Sequence, residues 1–304
     1  MTDIERVGVV GCGLMGAGIA EVCARAGLPV TVVERDAQAA RSGRLRIARS
    51  LDRATAHGRL TEQRREVVAA RITVVDQIEA LHDRDLVIEA VAEDERLKAE
   101  VFTRLDSVLT DDRTLLATNT SSIPVIRLAS ATGRPEHVVG VHFFNPVPAL
   151  RLVELVPSLL TSPDTVARAE RFVTGTLGKE VVRTRDKAGF VVNALLVPYL
   201  LAAVRMVESG GVTVEDVDRA MVLGCAHPLG PLALADLIGL DTTRAIAESL
   251  YAEFREPQYS PPPLLSRMVE AGLLGRKSGR GFHRYDEETQ RAAEAPAGPH
   301  GGTR

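Results

Sequence analysis

Val7-Gly8-Val9-Val10-Gly11-Cys12-Gly13-Leu14-Met15-Gly16-Ala17-Gly18-Ile19-Ala20 is the stretch from which the rest of the chain can be interpreted. A valine-rich run of strand character enters a Gly-x-Gly-x-x-Gly turn, and the turn opens an apolar segment of helical character. In that setting Gly11 makes the tight turn, Gly13 lets the backbone approach a pyrophosphate, and Gly16 lets helix and strand pack closely. With Leu14 and Met15 between them, these are the candidate residues of a dinucleotide-binding loop. The hexapeptide alone is weak support, because ordinary turn chemistry also produces it. Here, however, Glu34 follows directly on the next strand-like run, about 20 residues on, where an acid receives the ribose hydroxyls of NAD. Arg35 beside it suits the 2′-phosphate of NADP, which Glu34 would repel, so the expected cofactor is NAD, with NADP left open.

Outward from this stretch, short β-branched runs alternate with helix-length segments. Strands are predicted over 6–10, 30–33, 85–90, 114–117 and 138–143, with two more over 151–156 and 179–183. The alternation describes βαβ units around a parallel sheet with helices on both faces. Ser162-Pro163-Asp164 opens a helix between the last two strands: Ser162 can cap, Pro163 suits the first turn and Asp164 suits the dipole. The predicted fold is therefore α/β, a Rossmann-type dinucleotide-binding domain over 1–185, followed by an all-α domain over 186–285. In the second part, helices are predicted from the Thr213 cap to Gly224, over 241–254 and over 264–271, with a proline-rich connector at 256–263. Residues 286–304 are polar and aperiodic and are expected to form a disordered tail.

The segment from Phe190 to Val207 is apolar over 18 residues, close to the length of a membrane span. Asn193, Pro198 and Arg205 interrupt it, and no basic cluster flanks it, so a helix buried on all sides is expected instead. The balance of 37 basic against 40 acidic residues gives a net charge of −3, which disfavours a nucleic-acid surface. Cys12, Cys23 and Cys225 have no metal-ligand spacing; they read as small core residues in a reducing compartment, with no metal expected. The N-terminus has no basic, apolar leader of the secretory kind, which points to the cytoplasm.

Chemistry is concentrated at the predicted strand ends. His142, closing a strand and followed by Phe143-Phe144-Asn145-Pro146, lies twelve residues before Glu154. A histidine held by a carboxylate makes a general base, and hydride can leave a carbinol carbon only as its hydroxyl proton is removed. By residues alone, a single histidine beside aromatics is more often a structural one. Asn119-Thr120-Ser121-Ser122 follows another strand, where hydroxyls can hold a substrate oxygen or cap the next helix. Asn193, polar on an apolar helix, either satisfies a core neighbour or faces a site.

The ordered set VGVVGCGLMGAGIA, DLVIEAVAED, NTSSIP, HFFNPVPALRLVELV, DKAGFVVNALLVPYL, HPLGPLALADLIGLDTT and GRKSGRGFHRY resembles the 3-hydroxyacyl-CoA dehydrogenase family, in particular its bacterial 3-hydroxybutyryl-CoA branch, over residues 5–285. The resemblance implies oxidation of an (S)-3-hydroxyacyl thioester to the 3-oxoacyl thioester with NAD(P), reversibly. It implies His142 as base, Glu154 as its orienting partner, and Ser121 and Asn193 as holders of the reacting oxygen and the neighbouring carbonyl. By the same resemblance Glu93, Lys98, Asn145 and Lys277 match cofactor-site positions, and Ser121 would lie beside the cofactor as well as the substrate. The helical domain would bind substrate and form a homodimer. The chain departs from the family pattern at Ala188, Ala194 and Ala233, which leaves acyl length and carrier open: an acyl-CoA, or an acyl-carrier-protein-bound hydroxyacyl or glyceryl thioester of polyketide extender-unit synthesis.

Overall fold

The computed structural model describes residues 4–285, so the expected tail at 286–304 lies outside the described residues. The chain divides after Phe190 into two compact units.

The first unit is built on one eight-stranded sheet: β1 (Val7–Val10), β2 (Val30–Val33), β3 (Ile72–Val75), β4 (Leu86–Glu89), β5 (Leu115–Thr118), β6 (Val138–Phe143), β7 (Leu152–Pro157) and β8 (Glu180–Arg183). Its order is β3-β2-β1-β4-β5-β6-β7-β8, so the strand order reverses beside β1, the place where open α/β sheets receive a ligand. The first six strands run parallel, whereas β7 pairs antiparallel to β6. Only 144–151 separate β6 from β7, too little chain for the crossover that a parallel neighbour needs. Strand β3 is not among the sequence expectations; its Ile-Thr-Val-Val run is β-branched, but it is short and lies at the sheet edge.

Helices α1 (Leu14–Arg25), α2 (Ala37–Ala56), α3 (Glu62–Ala70), α4 (Glu95–Val108), α5 (Val125–Ala129) and α6 (Pro163–Arg171) complete this unit. Two apolar layers form its core: one includes Ile19, Val32, Leu51 and Phe172, the other Val87, Phe102, Leu116 and Phe190. Ser162 accepts a hydrogen bond from the Thr165 amide at 3.1 Å, the cap that its sequence position suggests. The division falls later than 185 because 186–190 are fastened to the first unit. Asp186 accepts bonds from the Val125 and Ile126 amides at 2.7 and 2.8 Å, and Phe190 is 1% exposed.

The second unit holds α7 (Val192–Glu208), α8 (Val214–Cys225), α9 (Pro231–Ile238), α10 (Leu240–Phe254) and α11 (Pro263–Glu270). Within it α7 packs against α9 and α10. It is not buried on all sides: Val197, Leu200, Leu201 and Val204 are buried, while Leu195 and Met206 remain exposed at 72% and 52%. Arg205 anchors the proline-rich connector, donating to the carbonyls of Pro257, Gln258 and Ser260. Helix α9 is absent from the sequence expectations, and Cys225 is exposed at the end of α8, not a core residue. No helix among the described residues is long and apolar enough to cross a membrane.

Candidate active site

The antiparallel pairing of β6 and β7 puts His142 directly opposite Glu154. Both are buried, and Nδ1 of His142 lies 2.8 Å from Oε2 of Glu154. An ionised carboxylate can only accept, so Nδ1 carries the proton of the neutral ring and Nε2 becomes its acceptor nitrogen. Two aromatic rings fix the imidazole plane: Phe144 at 4.6 Å and Phe190 at 5.5 Å between centroids. Phe190 reaches this position with a left-handed φ of 48° beside Gly189 at 72°, a backbone state costing a non-glycine residue about 1 kcal/mol or more. Burying a phenylalanine side chain returns roughly 1.5–3 kcal/mol, which offsets it. The sequence reading placed Phe190 in an apolar helix and missed this role; the Gly189-Phe190 pair was its only visible signal. The end of β6 is further tied to β5, since Asn119 Oδ1 accepts from the Phe143 amide at 2.9 Å.

At the sheet's reversal point, Gly11 has φ +91°, and a Cβ on Gly16 would stand 1.9 Å from the Gly11 carbonyl oxygen. Those two positions require glycine, one for the turn and one for the close approach of α1. Beside Gly13 there is open space, with no atom within 4 Å of where a Cβ would stand. Leu14 and Met15 form the first turn of α1, whose backbone amides have no intrahelical partner and so suit an anion. Glu34 directly follows β2 and reaches back to this loop, its Oε1 accepting from the Cys12 amide at 2.6 Å. Arg35 is mostly exposed and pairs with Asp36 at 3.2 Å. A cavity of about 370 Å³ opens here, lined by Gly11, Gly13, Glu34, Val91, Val101 and Arg104 among others. A glycine cradle, a helix N-terminus, an acid for ribose hydroxyls and an apolar-walled cavity fit a dinucleotide.

A second cluster surrounds Ser121. Lys98, on α4, is 1% exposed; its Nζ lies 2.6 Å from Glu89 Oε1 and 3.2 Å from Glu93 Oε2. Oε1 of Glu93 in turn receives Thr120 Oγ1 at 2.6 Å, the amides of Ser121 and Ser122 at 2.9 and 3.1 Å, and Ser122 Oγ at 3.0 Å. Burial opposes ionisation of Glu93, but the Lys98 ammonium and these donors hold its carboxyl below the usual carboxylate range. The cap before Ile123 comes from Thr120, whose Oγ1 accepts from the Ile123 amide at 2.9 Å. Glu89, at the end of an apolar strand, carried no sequence signal beyond its type.

The structure thus brings together His142 with Glu154, the glycine loop with Glu34, and Ser121 with Glu93 and Lys98. Asn145 is exposed just beyond β6, at a cis peptide with Pro146. Asn193 and Lys277 belong to the second unit. Asn193 lies in the first turn of α7, and Lys277 is paired with Asp241 at 2.6 Å. In that unit Asp218 and Asp236, which the sequence reading did not single out, gather the segment that carries Lys277. Asp236 accepts from the amides of Phe282 and His283, and Asp218 from His283 Nε2 at 2.8 Å.

The family models of the 3-hydroxyacyl-CoA dehydrogenase NAD binding domain and C-terminal domain match residues 6–187 and 189–285. The chain belongs to the 3-hydroxyacyl-CoA dehydrogenase family and is an NAD-binding oxidoreductase of α/β plus helical architecture. Among its relatives is the 3-hydroxybutyryl-CoA dehydrogenase of Mycobacterium tuberculosis, 58% identical over 286 residues, covering 94% of this chain and all of that one. Its fold is similar to that of M. tuberculosis FadB2, with a TM-score of 0.92 and 57% identity over 93% of this chain and 99% of the other. It is also similar to the (S)-3-hydroxybutyryl-CoA dehydrogenase PaaH1 from Ralstonia eutropha, with a TM-score of 0.87 and 43% identity over 94% of this chain and all of that one.

Proposed function

We propose that this chain catalyses the reversible oxidation of (S)-3-hydroxybutyryl-CoA to acetoacetyl-CoA, with NAD as acceptor and His142 as general base. The observation that carries the reading is the 2.8 Å contact of His142 Nδ1 with the fully buried Glu154. The bound nicotinamide supplies the hydride acceptor. His142 takes the hydroxyl proton at Nε2, and the resulting imidazolium is stabilised by Glu154 across Nδ1. In reduction the same nitrogen returns the proton. Ser121 and Asn193 hold the reacting oxygen and the thioester carbonyl; Asn145, Glu93, Lys98 and Lys277 belong to the cofactor side. Glu34 favours NAD over NADP, because a 2′-phosphate would meet its carboxylate. The same residues would serve a thioester on an acyl carrier protein, since phosphopantetheine is common to both carriers. The names of the relatives favour CoA.

We place the reaction in a two-part protein, a nucleotide domain reaching to Phe190 and a helical domain beyond it, that works as a homodimer. Exposed apolar side chains of the helical unit support the dimer: Leu195, Met206, Leu223 and Leu237. The test is the loss of NADH absorbance on adding acetoacetyl-CoA to the purified protein, repeated with NADPH and with acetoacetyl-acyl carrier protein. Fast turnover with NADH and the CoA ester is expected. Turnover on the carrier protein alone would reassign the substrate, and none on either would end the proposal.

A further inference from the structure

We infer that Lys179 is a positioning residue of the reaction: from the start of β8 it fixes the turn that joins β6 to β7, and so holds Asn145 in a set place relative to the glycine loop. This inference rests on the proposed place of Asn145 on the cofactor side of the site.

Lys179 stands immediately before β8 and is buried, 8% exposed. Its ammonium has three N–H donors and no acceptor. Two of them go to a single turn, with Nζ 2.7 Å from the Val147 carbonyl oxygen and 2.5 Å from that of Leu150. Among the described residues it forms no salt bridge, and burial lowers its pKa. A buried ammonium without an acid is unfavourable unless its hydrogen bonds compensate. Here the compensation comes from the 146–150 turn. Inside that turn the Ala149 and Leu150 amides both donate to the Pro146 carbonyl at 3.0 Å, which leaves the Val147 and Leu150 oxygens to Lys179.

The same turn rests on α1. Val147 is 2% exposed, and a Cβ on Gly18 would stand 2.9 Å from the Val147 Cβ. Gly18 belongs to the helix whose first turn follows the glycine loop. Lysine donors and a bare helix surface therefore hold the turn together, and Asn145 is joined to it directly through Pro146. The sheet does not do this work, because the β6–β7 pairing ends at Phe143 and Val153. His142 and Glu154 lie within that pairing and are aligned by the ladder itself. Lys179 thus acts on the cofactor side of the site and not on the proton-transfer pair.

A double-mutant cycle tests it, with Lys179→Met, Asn145→Ala and the pair. The readouts are kcat for acetoacetyl-CoA at saturating NADH and the primary isotope effect with NADH deuterated at the transferred hydrogen. Lys179→Met should lower kcat by about tenfold to a hundredfold, the scale of a misplaced contact. Its isotope effect should stand at or above the wild-type value, because hydride transfer is the step that slows. In the Asn145→Ala background the same substitution should add little, because the two residues act as one unit. A lysine that only stabilises the fold would lower the thermal midpoint and leave kcat per folded enzyme at the wild-type value. That result overturns the inference, as do a reduced isotope effect and effects on kcat that simply multiply. Wild-type kcat in Asn145→Ala would instead remove Asn145 from the reaction, a separate failure of the underlying reading. Should Lys179→Met not fold, Val147→Ala, which loosens the same turn from α1, carries the same cycle with the same outcomes.

Discussion

Glu34 shows how much one side chain can decide. It directly follows β2, and its carboxylate spans the gap to the glycine loop, taking the Cys12 amide at 2.6 Å and the Arg35 amide at 3.2 Å. A ribose 2′-hydroxyl can donate to such a carboxylate, whereas a phosphate there would be repelled by it. The Arg35 guanidinium, already paired with Asp36, does not cancel that charge. Glu34→Ala should therefore weaken NADH binding by more than it weakens NADPH binding, compared as Kd ratios because the Cys12 contact is lost for both. Equal weakening would separate Glu34 from cofactor choice. At this scale the sequence was most informative where an element boundary fixed the side chain: Glu34 after a strand, and His142 at the end of one. It was silent on Glu89, because an acid closing an apolar strand has the same local pattern whether it faces water or, as here, a buried lysine.

Among the elements, the segment 275–285 of the second unit is held by side chains of α8 and α9 in addition to its own backbone hydrogen bonds. Asp236 accepts from the Phe282 and His283 amides and from Tyr285 Oη, at 3.0, 2.9 and 3.0 Å. Asp218 accepts from the amides of Leu232 and Ala233, at the start of α9, and from His283 Nε2. The bond to Asp218 raises the His283 pKa against the opposing effect of burial, while His283 and those amides lower the pKa of Asp218. A raised histidine contributes stability that is complete below its unfolded value near 6.5 and is lost as pH rises through the folded value. A lowered carboxyl contributes stability that is present above its unfolded value near 3.9 and is lost as pH falls through the folded one. The clasp is thus strongest between those limits. The thermal midpoint of the wild type should drop more between about pH 6 and 8 than that of His283→Gln; parallel curves would exclude His283 as the source. Elements with both a cap and a period were legible, such as α6 behind Ser162 and α8 behind Thr213. Helix α9 was hidden among Gly and Pro, and β7 was read as a strand without its direction, although the short 144–151 connection contained that information.

For the molecule as a whole, the α/β-then-α order was visible because periodicity changes once along the chain, from β-branched runs to helices only. The precise division was not, because Phe190 belongs by composition to an apolar helix and by packing to the first unit. The apolar character of α7 exceeds what one chain buries, with Leu195 left 72% exposed. If that face joins two copies, the protein should run at twice its 32.7 kDa chain mass in light scattering. Leu195→Asp combined with Leu223→Asp should shift it toward the monomer, and a wild-type monomer at micromolar concentration would refute the dimer. All of these features serve one chemical claim, that a histidine held by a buried glutamate moves the proton. The most direct test compares His142→Gln with the wild type in NADH titration and in acetoacetyl-CoA reduction at saturating NADH. The account predicts NADH affinity within a few-fold of the wild type and kcat lower by at least about 10²-fold; an unchanged kcat would contradict it.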